Sequence, residues 1–207
     1  VAVRRGSRHH GRMKEAGTLA VALMAGGRST RMGRDKALLV DRKGREFWRG
    51  RLELLRQMGA AEVFISCRED QGYLAESGAR LVFDQWENTG PMGGIVSCLE
   101  AMEADRLLVL AVDLPEVTRA ELTALLTAEG EGGAVFRCGR FLEPLVAVYP
   151  KAMAGSGRRR LEAGEFALLE WIAEAGEAMR GLEVPEEEAG RFVNVNDPAA
   201  WERWVTS

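Results

Sequence analysis

Histidine is almost missing: of 207 residues only His9 and His10 carry an imidazole, and both sit in the leading stretch VAVRRGSRHHGRMKEAGT. That stretch has five basic residues, one acid and no apolar period. Its composition predicts a disordered basic tail over residues 1–18, with Met13 a candidate start. No histidine is then left in the folded part to ligate a metal or act as general base. Cysteine is equally scarce. Cys67, Cys98 and Cys138 lie far apart with no CxxC pair, which excludes a disulfide framework and a zinc-ligand spacing and predicts buried thiols in a reducing cytosol. No segment reaches the ~20 apolar residues that span a membrane. The run Leu19 to Ala25, behind Arg4 and Arg5, is short for an export leader and continues into Gly26-Gly27-Arg28 instead of a cleavage site. An excess of positive charge is also lacking. With 28 basic against 31 acidic residues and a formal net charge of −3, no global field is available to hold a nucleic-acid backbone. A small anionic metabolite is the better partner. Without a basic groove, the five tryptophans read as core and surface-cover residues and not as a base-stacking platform.

The chain does have enough apolar residues, 46%, to bury one good core, and it is short for two, so residues 19–207 are expected to form a single domain. Apolar runs bounded by Gly and charge predict buried strands at Leu19–Met24, Glu62–Ser66, Arg80–Phe83 and Leu107–Val112. Between them, Phe47–Met58, Met92–Met102 and Val117–Ala128 carry apolar stripes at helical spacing, with Thr118 an N-cap. The alternation predicts an α/β fold, a three-layer sandwich with helices on both faces of a mostly parallel twisted sheet. The second half is less regular. Strands are expected at Ala134–Phe136, Leu145–Tyr149 and Arg191–Val195, and helices at Glu165–Ala175 and from Pro198 through Trp201 and Trp204. Arg158-Arg159-Arg160 reads as a solvated helix start and Pro185-Glu186-Glu187-Glu188 as a solvated loop.

Chemistry concentrates after the first strand, in Leu23-Met24-Ala25-Gly26-Gly27-Arg28-Ser29-Thr30-Arg31-Met32-Gly33-Arg34-Asp35-Lys36-Ala37-Leu38-Leu39. In an open parallel sheet, ligands sit at the carboxyl ends of the strands. Gly26, Gly27 and Gly33 let backbone N–H groups approach phosphates, and Arg31 and Lys36 can offset triphosphate charge. Two familiar phosphate loops fail on spacing. A GxxxxGK[ST] loop needs Lys directly after its last glycine, whereas Lys36 is three residues beyond Gly33 and precedes Ala37; no GxGxxG fingerprint is present either. A nicotinamide-dependent oxidoreductase is disfavoured accordingly. The plain alternative is a strand-to-loop turn with solvated cations.

The string AGG-x-S-x-RMG-x-DK-x-LL resembles the signature of the molybdenum cofactor guanylyltransferase (MobA) family, Rossmann-like nucleotidyltransferases. Three further segments keep that family's order: Asp84 followed by Gly90-Pro91-Met92-Gly93-Gly94-Ile95, then Val112-Asp113-Leu114-Pro115, then Phe192-Val193-Asn194-Val195-Asn196-Asp197-Pro198. The resemblance implies transfer of GMP from GTP to molybdopterin or Mo-molybdopterin, with release of diphosphate. It implies nucleotide contacts at Met24, Ala25, Gly26, Gly27, Lys36, Asp84 and Asp113, an acceptor pocket lined by Asn194 and Asn196, and Mg2+ on Asp113. Arg31, Lys36 and Asp113 are the expected catalytic groups. Asp84 can accept from the guanine N–H edge or the ribose, or cap a helix. Asp113 can instead cap the following turn, and the asparagines can instead serve turn chemistry before Pro198. Departures from the pattern are Val112 where a Cys is usual, Ser66-Cys67 where some relatives have Asn, and Glu143-Pro144 where many have His or Gln before the proline. The second departure leaves base choice less determined than reaction type. The alternatives are a cytidylyl- or sugar-phosphate nucleotidyltransferase with the same loop, and a silent NTP-binding module that partners molybdoenzyme-maturation proteins. A cytoplasmic location and no nucleic-acid or membrane partner are expected.

Overall fold

The structure is a computed structural model that describes residues 17–206 apart from Arg28, Thr30, Glu87 and residues 129–131. The expected tail therefore lies outside the described residues up to position 16. At its end, Thr18 is tied down, donating from N and Oγ1 to Asp105 Oδ2 at 2.8 and 2.9 Å.

Seven strands form one sheet in the order β3-β2-β1-β4-β6-β5-β7. They are β1 (Leu19–Met24), β2 (Glu62–Cys67), β3 (Arg80–Phe83), β4 (Arg106–Ala111), β5 (Gly133–Cys138), β6 (Phe141–Pro150) and β7 (Met179–Glu183). The pairs β3–β2, β2–β1, β1–β4 and β5–β7 are parallel, and β6 runs antiparallel to both its neighbours. The mostly parallel α/β sheet expected from the sequence is thus present. Its central strands are apolar on both sides because both faces are covered. In β1, Val21 and Leu23 join one core while Ala20 and Ala22 join the other; in β4, Leu108 and Leu110 are divided from Leu107 and Val109 in the same way.

Six helices among the described residues supply the covering layers: α1 (Phe47–Arg56), α2 (Pro91–Ala101), α3 (Arg119–Thr127), α4 (Ala154–Glu162), α5 (Leu168–Glu174) and α6 (Pro198–Thr206). Phe47, Leu52 and Leu55 of α1, Leu122 and Leu125 of α3, and Trp201 and Trp204 of α6 pack on the first face. Met92, Ile95 and Leu99 of α2, Leu161 of α4, and Trp171 of α5 fill the second, where the Tyr149 and Trp171 rings stack at 5.7 Å. Thr118 caps α3 as expected, within a full capping box with Glu121.

Several expectations are corrected. Residues 191–195 are no strand: a 3-10 helix spans Glu186–Phe192, and Phe192 and Val195 both join the same core, whereas residues three apart on a pleated strand face opposite sides. The helix expected from Glu165 starts at Leu168. Arg158 to Arg160 lie inside α4 and not at its start; Arg158 and Arg159 are exposed as expected, while Arg160 is drawn in by Glu165, Glu170 and Glu174.

At the N-terminus of α2 the helix approaches the strand ends closely. A Cβ on Gly94 would collide with Ser66 Oγ and lie 2.8 Å from Met24 Cε. Gly94→Ala is therefore expected to lower stability by about 1–3 kcal/mol through overpacking, whereas Gly72→Ala, with nothing within 4 Å of its Cβ position, serves as a control. Urea denaturation of both variants checks this, and equal midpoints would refute the close approach.

Candidate functional site

Parallel pairing of β1 with β4 puts Met24 beside Ala111, so the loop after β1 and the turn after β4 emerge side by side at the carboxyl edge. This edge is where an α/β sheet presents ligand sites. Val112 N donates to Met24 O at 3.1 Å and fastens the two exits together.

From the loop, Lys36 Nζ donates to Asp113 Oδ2 at 2.9 Å and to Asn196 Oδ1 at 2.5 Å. Two residues expected in catalysis and one expected in the acceptor pocket thus meet at a single ammonium group. Asn196 reaches the site because Val195 N donates to Asp113 O at 2.9 Å, laying the segment before α6 along the turn. The Lys36 and Asp113 side chains are only 17% and 15% exposed, so their charges act in a medium less screened than bulk water. Among the described residues no group of three His, Cys, Asp or Glu gathers as a metal cage. The oxygens of Asp113 and Asn196 nonetheless converge on a cation, here the Lys36 ammonium. One carboxylate and an amide oxygen suit a hard divalent ion that draws its other ligands from phosphate and water.

The loop itself is held from behind. Gln71 is 1% exposed; its Nε2 donates to Ala25 O at 3.0 Å and Asp35 Oδ2 at 2.7 Å, and its Oε1 accepts from Arg68 N at 2.9 Å. Tyr73 OH donates to Asp35 Oδ2 at 2.8 Å; burial first, and then the Asp35 carboxylate, push this phenol far above its ordinary range. Asp35 Oδ1 in turn accepts from Ala37 N at 3.0 Å, capping the short 3-10 turn Lys36–Leu38 that aims the lysine. Arg68 Nη1 donates to Gly27 O at 2.5 Å and Gly26 O at 3.3 Å. Of these supports, Asp35 lies in the quoted string but sequence reasoning assigned it no role, and Arg68, Gln71 and Tyr73 were missed. Their one signal is a polar cluster directly after a buried strand.

The other expected residues are distributed as follows. Ala25 N donates to Ser66 O at 2.8 Å; Gly26 sits over Cys67, whose Cα would be 3.6 Å from an added Cβ. Gly33 takes φ +68 and Ser29 φ 48, so the loop turns through two left-handed residues. Ser29 Oγ accepts from Lys36 N at 3.3 Å and closes that turn. Arg31 is exposed and has no hydrogen-bond or ion-pair partner among the described residues. Asp84 follows β3, with Oδ1 accepting from Trp86 N at 2.9 Å. An added Cβ on Gly93 would lie 2.5 and 2.8 Å from its two carboxylate oxygens, so α2 starts against this carboxyl. Burial holds the Asp84 carboxyl above its usual range, partly offset by the Trp86 amide. Asn194 is half-buried without a hydrogen-bond partner among the described residues, and it does not touch Lys36 as Asn196 does. Cys67 ends β2 buried, its thiol pushed up to about 11 by burial, which makes it a packing residue and not a nucleophile.

Solved chains of the same shape place the architecture in a class. The molybdopterin-guanine dinucleotide biosynthesis protein A of Archaeoglobus fulgidus superposes with a TM-score of 0.73 at 22% identity, over 90% of this chain and 97% of its own. A nucleotidyl transferase from Methanothermobacter gives 0.71 at 21%, over 90% and 95%. The fold is that of the nucleotidyltransferases. Within that class the chain belongs to the MobA-like NTP transferase domain family, which matches residues 21–178. Relatives include a "probable molybdenum cofactor guanylyltransferase" of Opitutus terrae, 37% identical over 88% of this chain and 93% of that one. A molybdenum cofactor guanylyltransferase of Pseudomonas putida is 32% identical over 86% and 93%.

Gln71→Leu removes the donor shared by Ala25 and Asp35 while keeping the volume. Leaving buried partners unpaired costs about 1–3 kcal/mol. The expected outcome is that loss of stability, together with faster amide exchange at Ala37, whose N–H depends on Asp35. Unchanged exchange there would mean that Gln71 does not hold the loop.

Proposed function

We propose that this chain transfers the GMP moiety of GTP to the terminal phosphate of molybdopterin or Mo-molybdopterin, giving the guanine dinucleotide form of the cofactor and diphosphate. The observation that carries the reading is the meeting of Lys36, Asp113 and Asn196 at the carboxyl ends of β1 and β4. The names of the relatives from Opitutus and Pseudomonas support it.

In this reading the nucleotide lies over Met24, Ala25, Gly26 and Gly27, with loop amides turned to its phosphates. Lys36 and the exposed Arg31 balance the charge that shifts toward the leaving diphosphate. Asp84 accepts hydrogen bonds from the base or ribose, and Asn194 and Asn196 line the acceptor pocket. Asp113, with Asn196 beside it, holds Mg2+. The bound ion supplies electrostatic stabilisation of the phosphate oxygens. An acceptor phosphate oxygen attacks the α-phosphorus in line, the new P–O bond forms, and the bond to the β-phosphate oxygen breaks with its electron pair leaving on diphosphate. The attacking oxygen is already anionic at neutral pH, so no general base is needed, in keeping with the absence of histidine among the described residues. Catalysis rests on positioning and electrostatics. The reaction belongs in the cytoplasm, where the product can pass to molybdoenzyme-maturation proteins. In support, Cys67, Cys98 and Cys138 are free thiols, and no helix among the described residues is long and apolar enough to cross a membrane.

Diphosphate release is to be measured with each of the four NTPs, Mg2+ and molybdopterin. GTP alone should support release, Asp113→Ala should abolish it, and Lys36→Met should lower turnover by roughly 10²–10³-fold. Release with CTP would move the chain to the cytidylyl branch. GTP binding without release would make it a silent module, and near-normal turnover in Lys36→Met would defeat the assignment of that residue.

A further inference from the structure

The turn that carries Asp113 is fastened from three directions. Val112 N bonds to β1 through Met24 O, and Asp113 O accepts from Val195 N. The third fastening is a side chain: Arg51 of α1 sends Nη1 to Leu114 O at 3.2 Å and to Val117 O at 2.7 Å. Leu114 and Val117 are each 1% exposed, so their carbonyls have little access to water. Arg51 has no carboxylate ion-pair partner among the described residues; Asp41, on the neighbouring loop, is engaged by Arg45. A half-buried guanidinium, satisfied by two backbone carbonyls in place of a carboxylate, is costly to keep. Burial, and then the neighbouring Arg45 charge, pull its proton affinity down, while Asp41 and Glu116 work the other way.

A leucine or methionine would fill the same space between α1 and the turn without that penalty, but it could not tether two carbonyls at once. The two N–H donors of the Arg51 Nη1 group do so, held in plane by the guanidinium. Both carbonyls belong to the five residues from Asp113 to Val117, so the tether fixes the backbone that aims the Asp113 carboxylate. A site of this kind tolerates a misplacement of only about 0.5 Å.

We propose that Arg51 is a positioning residue for the cation site at Asp113, holding the 113–117 turn so that the carboxylate presents its oxygens to a divalent ion bound with the nucleotide. This rests on the reading of Asp113 as the metal ligand. In this proposal Arg51 acts through the turn it tethers. A cavity of ≈ 210 Å³, lined in part by Arg51, Lys43, Phe47 and Pro115, opens behind the turn and gives small solutes access to the position.

The test titrates Mn2+ into the protein with GTP, reading free Mn2+ by electron paramagnetic resonance, for wild type, Arg51→Met, Arg51→Lys and Asp113→Asn. Arg51→Met is expected to bind Mn2+ roughly 10–100-fold more weakly, as removal of groups that orient metal ligands does elsewhere, with GTP affinity in the absence of metal unchanged. Arg51→Lys, which keeps the charge and N–H donors but presents them on a shorter, non-planar head, should fall between. In a further variant, Arg51→Ala, millimolar guanidinium should restore part of the Mn2+ affinity by entering the cavity. A lowered melting temperature with wild-type Mn2+ affinity in both Arg51→Met and Arg51→Lys would overturn the proposal and leave Arg51 a purely structural tether. Wild-type Mn2+ affinity in Asp113→Asn would instead overturn the metal reading itself, and this inference with it.

Discussion

One ammonium group joins three distant stretches of chain: Lys36 Nζ binds Asp113, 77 residues away, and Asn196, 160 residues away. Closing loops of that length loses chain entropy, and two hydrogen bonds do not offset it. The parallel ladder of β1 and β4 does, since its apolar residues, buried on both faces, bring the two exits together before any side chain meets. Lys36 then has to be delivered at the right height. That is the task of Asp35, whose carboxylate caps the turn bearing the lysine while receiving Gln71, Tyr73 and Arg68. The charged centre is thus the visible end of a scaffold made by hydrophobic pairing and finished by a buried amide.

Elements that bury an uninterrupted apolar run were legible in the sequence. β1 and β3 fall at the expected residues, and β2, β4 and the first three helices differ from expectation only at their ends. What was hidden shares a physical cause. β7, with the sequence MRGLE, is an edge strand mostly open to solvent, so it carries no apolar run. α4 contains two glycines and a serine, poor helix formers, and forms because Gly157 lets the helix approach Val96 and Trp171, where a Cβ would meet the valine at 2.5 Å. Tertiary packing decides both, and a local pattern does not record it.

The site divides in the same way. Lys36 and Asp113 were readable because a Gly-rich loop and a strand-terminal carboxylate are chemical features of the chain itself. The meeting of Asn196 with Lys36 was not, because it follows from Val195 N reaching Asp113 O. Nor could spacing alone have singled out Gln71, which reaches both a backbone carbonyl and the Asp35 carboxylate, or Arg51, whose partners are carbonyl groups that every sequence possesses.

The placement of Asn196 has a consequence for how the protein is made. Synthesis runs from the N-terminus, and the residues of β1 to β4 leave the ribosome well before position 196, so that half of the sheet can pair while the acidic and basic groups of its edge still lack their third partner. α6 then docks through Trp204 on Phe47, with ring centroids 5.3 Å apart, and through Arg34 over Trp201. A nascent or clipped chain that stops before Val195 has the strands β1 to β7 but leaves Lys36 and Asp113 without Asn196. The three-way contact is in this way deferred until the segment between β7 and α6 has been made.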